Sequence, residues 1–304
     1  NQQWSLDPFA AEINDGKLYG RGASDMKAGI ASFVTAATST DVLGDDGPGL
    51  ILIMAAGEET GCEGSRPLGE LLAPSVDVGA MIVAEPSYNL PKVGHRGALW
   101  LRMRTAGKTA HGSMPELGVN ALYKAARAVT HLEDFDFNIA RHPHLGGNSL
   151  SVGNLHSGLN VNSVPDAATM EVDVRTIPGV NHETVRRNFH QYLGSDIEEI
   201  YPFVNLDSVW TDPENPWVKR VFDVITPFLG ERPAVEALPF FTDAAVLKPA
   251  FGDVPTVILG PGETHMAHQT DEFCVVERIP HAVAIYKTLI EDWVDSGLSR
   301  IEQT

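Results

Sequence analysis

The apolar residues of this chain change their period twice, and that change constrains the fold more than any other feature of the sequence. Over residues 1–92 helix-like and strand-like segments alternate, the pattern of an α/β unit whose sheet is mainly parallel. Within Asp25–Thr40, Met26, Ile30, Phe33, Val34 and Ala37 recur at helical spacing. Leu50–Ala56 and Ala80–Ala84 are short, unbroken apolar runs, which predicts strands buried on both faces. Each run leads into acid: Glu58 and Glu59 after the first, Glu85 after the second. Over residues 93–205 the texture differs. Leu99–Thr105, Ser149–Leu155, Met170–Arg175 and Ile197–Val204 read as strands, the third with one wet face because Glu171, Asp173 and Arg175 alternate with Met170, Val172 and Val174. Helical stripes over Leu122–Leu132 and Val185–Leu193 complete a ferredoxin-like β-α-β-β-α-β order. The α/β texture then resumes: a helix over Trp217–Phe228, a strand near Val235, a short helix from Thr242, a buried strand over Thr256–Leu259 and a closing helix over Pro280–Val294. The expected organisation is one α/β domain, residues 1–92 and 206–304, interrupted by a smaller domain over 93–205.

Charge and cysteine content exclude several functions. The 304 residues carry 22 Lys and Arg against 40 Asp and Glu, a formal charge of −18. Neutralising nucleic-acid phosphates needs patches of surplus Lys and Arg, so no nucleic-acid partner is expected, and anionic membranes are equally disfavoured. The longest apolar run, Gly49–Gly57, is far short of the roughly 20 residues that span a bilayer, so no membrane span is expected. Cys62 and Cys274 are too few for a disulfide scaffold or a zinc knuckle and fit a reducing, cytoplasmic setting.

In open α/β sheets, ligands bind beyond the carboxyl ends of the strands. Four stretches place acids or a histidine there: Tyr19–Asp25, Met54–Glu59, Val83–Pro86 and Leu259–His268. Carboxylates converging on one crevice repel and raise one another's pKa unless a cation neutralises them, so a metal is implied. Carboxylates with imidazole and no thiolate suit zinc or a similar divalent ion with positions open to water, and the set also suits two ions bridged by a carboxylate. On a loop, the neighbours Glu58 and Glu59 point in different directions, so one can ligate while the other takes a proton from activated water. Singly, each residue has a plainer reading: Glu58 and Glu59 as a solvated turn, Asp25 as a helix N-cap, His268 as an exposed histidine. Joint placement at strand ends outweighs those readings. His142 and His144, a His-Pro-His pair in a polar loop without a carboxylate beside it, are read as loop residues.

Five ordered motifs carry a resemblance: Leu18–Gly29 (LYGRGASDMKAG), Ala56–Gly61 (AGEETG), Val83–Ser87 (VAEPS), Thr109–Pro115 (TAHGSMP) and Ala267–Glu272 (AHQTDE). Together they resemble the zinc aminoacylase and carboxypeptidase family, which includes acetylornithine deacetylase, succinyl-diaminopimelate desuccinylase, aminoacylases and glutamate carboxypeptidase. The resemblance implies that Asp25 bridges two metals, that Glu59 and His268 complete one site, and that Glu85 belongs to the other. It implies two zinc ions per subunit in the intact protein, with cobalt or manganese as alternatives, and makes Glu58 the general base. The residue 93–205 insert would be a lid and dimerisation domain of a homodimer. His111 would help to stabilise the tetrahedral oxyanion, often from the partner subunit, a role that contributes about 2.7–4 kcal/mol. Arg175 with Asn162 would hold a substrate carboxylate, which suits a guanidinium fork. A surface salt bridge from Arg175 to Glu171 or Asp173 stays open as the plainer reading. Thr242 would also contact substrate.

The family's first motif, Gly-His-x-Asp-x-Val-Pro, does not occur ahead of Trp4–Phe9. Its His would complete the site of Asp25 and Glu85. The expected explanation is a sequence that starts inside a longer protein, since Asn1 is no translation start and every other site residue is intact; such a chain would bind metal incompletely and show little or no activity. The other explanation is a natural variant, a non-catalytic ligand-binding or regulatory homologue. For the intact protein the resemblance implies a metal-dependent amidohydrolase acting on an N-acyl amino acid, of deacetylase or desuccinylase type, or on a short peptide. A dipeptidase or carboxypeptidase is the alternative within that class.

Overall fold

A computed structural model describes residues 3–44 and 48–296. The chain begins with β1 (Ile13–Asn14), β2 (Lys17–Tyr19), α1 (Ala28–Thr38), α2 (Ser65–Leu72), β3 (Met81–Val83) and β4 (Lys92–His95). Then come β5 (Gly97–Ala106), α3 (Ala121–Glu133), β6 (Ser149–Ser157), β7 (Ala167–Thr176), α4 (His182–Leu193) and β8 (Glu199–Leu206). The last part holds β9 (Val209–Trp210), α5 (Pro216–Leu229), β10 (Glu236–Leu238), α6 (Ala244–Ala250), β11 (Thr256–Ile258), β12 (Phe273–Val275) and α7 (Arg278–Ser296). These elements form two compact units. One comprises the residues up to Gly94, Trp210–Ala237 and the residues from Thr242 on; the other comprises His95–Val209 and Leu238–Phe241.

The first unit has mixed sheets. β1, β2 and β12 make a three-stranded sheet, and a second sheet runs β10-β4-β11-β3 with β9 paired to β4. β11 is parallel to β3 but antiparallel to β4, so the sheet is mixed where the repeated α/β texture predicts a mainly parallel one. A parallel return needs a crossover of a dozen or more residues. Only residues 84–91, Pro86 and Pro91 among them, join β3 to β4, and they hold no helix. Helices α1, α5 and α7 bury their apolar stripes with the sheet, joining Ala36, Val221, Phe222, Ile225, Ile285 and Leu289 to Val257 and Leu259. Each such aliphatic side chain contributes about 1.5–3 kcal/mol on leaving water.

The expected strand over Leu50–Ala56 does not form. That segment pairs with no strand among the described residues, and Leu50, Ile51, Leu52 and Met54 are exposed. An unbroken apolar run signals a tendency to be buried but not a partner for its N–H and C=O groups, and a strand requires both.

In the second unit the order is β-α-β-β-α-β, and its antiparallel sheet runs β6-β7-β5-β8. The period-2 pattern puts Leu99, Leu101 and Met103 of β5 and Met170, Val172 and Val174 of β7 on one buried face. Ala125 and Leu132 of α3 and Val185 and Phe189 of α4 join that cluster. Both helices start at an asparagine cap: Asn120 accepts from Tyr123 N–H at 3.1 Å and Asn181 from Thr184 N–H at 2.8 Å.

Candidate metal centre

Asp25 lies just before α1, in an irregular turn rather than in the helix its spacing predicts, because its backbone is extended at φ −118° and ψ 93°. One buried carboxylate holds this turn. Glu272 accepts the N–H groups of Gly22, Ser24 and Asp25 at 2.9, 2.9 and 3.0 Å and an Arg21 guanidinium N–H at 2.9 Å. Asp25 makes no cap in this turn, and its carboxyl meets Glu85 and His268 instead. Glu58 and Glu59 stand on a single helical turn between Gly57 and Gly61, both with left-handed φ that glycine adopts without strain. Glu85 follows β3. His268 follows a short turn after β11 and has φ +62°.

These loops bring four of the sequence-predicted ligands together. Ligand atoms of Asp25, Glu59 and His268 all lie within 4.8 Å of one another. His268 Nε2 is 2.8 Å from Glu59 Oε2 and 3.6 Å from Asp25 Oδ2. Glu85 is buried beside Asp25 and shares a hydrogen bond with it. Burial, then the charges of Asp25 and Glu58, push the Glu85 carboxyl well above its usual range, and the hydrogen bond shared with Asp25 raises it further. Burial and then Glu59 raise Asp25. A carboxyl pair whose charges burial and mutual repulsion disfavour, with imidazole and a further carboxylate converging on it, is a donor set that fits a divalent cation.

The remaining predicted residues divide between the units. Thr242 is fully buried in the first unit; its hydroxyl accepts Ala244 N–H at 3.1 Å at the start of α6. Next to it, Asp243 accepts Ser65 Oγ–H at 2.6 Å, and its charge also raises Glu85. In the second unit His111 and Asn162 lie on adjoining loops, joined by Gly112 N–H donating to Asn162 O at 2.7 Å. Ser113 N–H donates to His111 Nδ1 at 3.2 Å, and Ser113 Oγ lies 2.8 Å from the same nitrogen. Arg175 donates to Asp173 Oδ2 at 2.9 Å, with its guanidinium 5.9 Å from the Trp100 ring and 5.7 Å from that of Phe241. Sequence reasoning overlooked Glu272 and Asp243. An acid at the mouth of the apolar β12 was the available signal for Glu272; nothing in the local pattern marks Asp243.

The sequence pattern of peptidase family M20/M25/M40 matches residues 1–292. A Staphylococcus epidermidis protein named "Probable succinyl-diaminopimelate desuccinylase" is 29% identical over 326 aligned residues, covering 97% of this chain and 80% of that protein. Among solved structures, an M20 family metallo-carboxypeptidase from Sulfolobus solfataricus is 16% identical with a TM-score of 0.74, covering 95% of this chain and 80% of that one. A Bacillus subtilis protein described as a dinuclear metal binding peptidase from the M20 family is 19% identical with a TM-score of 0.68, covering 97% of this chain and 78% of that one.

Proposed function

The chain belongs to peptidase family M20/M25/M40, and from that premise we propose that it hydrolyses the amide bond of an N-acyl amino acid, of deacetylase or desuccinylase type. Membership makes it a metal-dependent hydrolase of amide or peptide bonds. A short peptide, cleaved as by a dipeptidase or carboxypeptidase, is the alternative substrate. The observation that carries the reading is the convergence of Asp25, Glu59 and His268 beside the buried Glu85, which is hydrogen-bonded to Asp25.

In the intact protein Asp25, Glu59, Glu85 and His268, with the histidine of the missing first motif, would hold a pair of divalent cations, zinc on this donor set with cobalt or manganese as alternatives, which would polarise the scissile carbonyl and acidify water. Glu58, on the same turn as Glu59, takes a proton from the attacking water and passes it to the leaving nitrogen. His111 offers Nε2–H to the developing oxyanion, and Arg175 with Asn162 holds the substrate carboxylate. The second unit serves as lid and dimerisation domain of a homodimer. Apolar side chains on the loops around His111 support this: Leu159 and Val161 are fully exposed, and Met114 and Leu117 are also open to solvent. No helix among the described residues is long and apolar enough to cross a membrane. A cytoplasmic location rests on Cys62 and Cys274, both buried as free thiols.

The deciding experiment is Glu58→Ala in the intact protein, with the first motif present. Turnover of N-acyl amino acids should fall by about 10²–10⁴ while zinc content, read by atomic absorption, stays at the wild-type level. Retained turnover overturns the role of Glu58. Ligand binding without turnover of any acyl amino acid or peptide by the intact wild type would select the non-catalytic alternative.

A further inference from the structure

The two loops that carry Glu85 and His268 are joined at two levels. Close to the sheet the link is mainly backbone: Ser87 N–H and Asn89 N–H donate to Gly260 O at 3.2 and 2.8 Å, Tyr88 N–H donates to Gly262 O at 2.9 Å, and Gly260 N–H donates to Ser87 Oγ at 2.9 Å. Beyond Gly262 the chain turns through Thr264–Met266, and the link passes to side chains. Thr264 Oγ–H donates to Pro86 O at 3.2 Å. The Tyr88 hydroxyl lies 2.8 Å from His265 Nδ1 and accepts His265 N–H at 3.3 Å. The two rings stack, with centroids 6.0 Å apart and planes at 12°. Tyr88 follows Glu85 by three residues, and His265 precedes His268 by three.

Further contacts hold Tyr88 in place. The Arg278 guanidinium lies 5.0 Å from the Tyr88 ring, and Arg278 O accepts Asn89 Nδ2–H at 2.9 Å. Arg278 is in turn paired with the buried Glu263, whose carboxylate also accepts Val275 N–H at 3.1 Å. Tyr88 has φ +60°, a left-handed backbone that a bulky side chain rarely takes, and such conformations persist where surrounding contacts fix them. His268 is differently placed. Its side chain is 67% exposed and its backbone is left-handed at φ +62°, so the turn ahead of it, rather than packing around the ring, aims the imidazole.

We propose that Tyr88 and His265 are positioning residues, a clasp that holds the His268 turn at a fixed distance from Glu85 and so sets the affinity of the centre for divalent cations. The ligand roles of Glu85 and His268 come from the metal-hydrolase reading, on which the proposal rests; the clasp makes no demand on substrate or turnover. Donors already in place bind a cation more tightly, because the turn need not be ordered at the moment of binding. Groups that orient metal ligands from outside commonly change metal affinity by about 10–100-fold. Both residues lie outside the five motifs that carry the family resemblance, so the clasp belongs to this chain rather than to those motifs.

The intact protein, with the first motif present, is the material for the test. Tyr88→Phe keeps the ring and its contact with Arg278 and removes only the hydroxyl. Zinc affinity, measured by competition with a chelating dye, should fall about tenfold. The visible spectrum of the cobalt-loaded protein, which reports ligand geometry, should change, while the thermal transition of the metal-free protein stays at the wild-type value. His265→Ala should lose the same factor, and the double variant should lose no more than either alone. His265→Asn, whose amide can accept or donate near the same point, should recover most of the affinity. Wild-type zinc affinity in Tyr88→Phe, losses that add in the double variant, or a lowered metal-free transition with an unchanged cobalt spectrum overturns the clasp. If the intact wild type turns over no acyl amino acid or peptide while zinc affinity still depends on Tyr88, the hydrolase reading fails and the clasp stands. If Tyr88→Phe keeps both turnover and zinc affinity, the clasp fails and the hydrolase reading stands.

Discussion

Asp25 owes its orientation to Glu272, a carboxylate without exposed surface that accepts four N–H groups from Arg21, Gly22, Ser24 and Asp25. In Glu272→Gln the amide NH₂ would face those donors and leave at least one unsatisfied, at a cost of about 1–3 kcal/mol. Chemical denaturation should register that loss, and zinc titration should register weaker binding, because the Asp25 turn is no longer held. Unchanged zinc affinity would show that the turn keeps its shape without Glu272. Of the candidate ligands, Glu85 follows a strand as its sequence suggests, whereas Glu59 is singled out at the end of a strand, Leu50–Ala56, that does not form; Glu272 gives only the signal of an acid beside apolar β12, because accepting backbone N–H groups leaves no periodicity. His95 gives a prediction of another kind. It is fully buried, Nδ1–H donates to Arg96 O at 2.8 Å, and Nε2 has no partner among the described residues. Burial lowers its pKa from 6.5 to about 4. The unfolded chain therefore binds a proton at higher pH than the folded one. Its contribution is full above pH 6.5 and is lost as pH falls through the window down to about 4, up to about 3 kcal/mol in all. Denaturant midpoints at pH 7 and 4.5 should converge more in His95→Phe than in the wild type; equal slopes would reject the assignment.

At the scale of elements, close approach rather than side-chain chemistry positions Glu85. Helix α1 runs so near the residue ahead of it that a Cβ on Gly29 would lie 2.2 Å from Ala84 O, and one on Gly260 would lie 2.3 Å from the same oxygen. Both contacts are with backbone, which cannot rotate away. Gly29→Ala should destabilise the protein by about 1–3 kcal/mol, read as a lower urea midpoint, and should displace Glu85, read as lost zinc binding. A wild-type midpoint would mean that α1 can shift without cost. The helical stripes of α1, α3, α5 and α7 were readable because 3.6-residue spacing over several turns has few alternatives. Two elements were not. α2 is short and carries Pro67 and Gly69, which hide its stripe. The apolar run at Leu50–Ala56 has the composition of a strand, but composition is silent about hydrogen-bond partners, and in the structure it pairs with none among the described residues. Strand direction in the sheet of β3, β4 and β11 was hidden for a related reason: the short 84–91 connection, not the texture of the strands, decides it.

For the whole molecule, charge and apolar surface pull in opposite directions on self-association. A chain at −18 repels its copies, though at physiological salt the repulsion is screened beyond about 8 Å, so a dimer must be held by contacts at short range. The second unit offers such contacts. Met114, Leu117, Val119, Leu159 and Val161 are exposed on the two loops joined at Gly112 and Asn162, and β6 is an edge strand of the four-stranded sheet. Solvated edges and clustered apolar side chains are unfavourable for a monomer unless a partner covers them. His111 lies within the same loops, so a copy that covers this surface also encloses the imidazole. In the proposed dimer, association and catalysis would then be coupled. Sedimentation velocity at micromolar concentration should give a dimer, and Val161→Asp, which places a charge on an exposed side chain with no internal contact to lose, should give a folded monomer with a wild-type thermal transition. If His111 acts on the partner's substrate, that monomer should lose turnover by about 10²–10³ while its zinc content is unchanged. A monomeric Val161→Asp with full turnover would place His111 outside the chemistry, and a wild type that sediments as a strict monomer would remove the dimer as well.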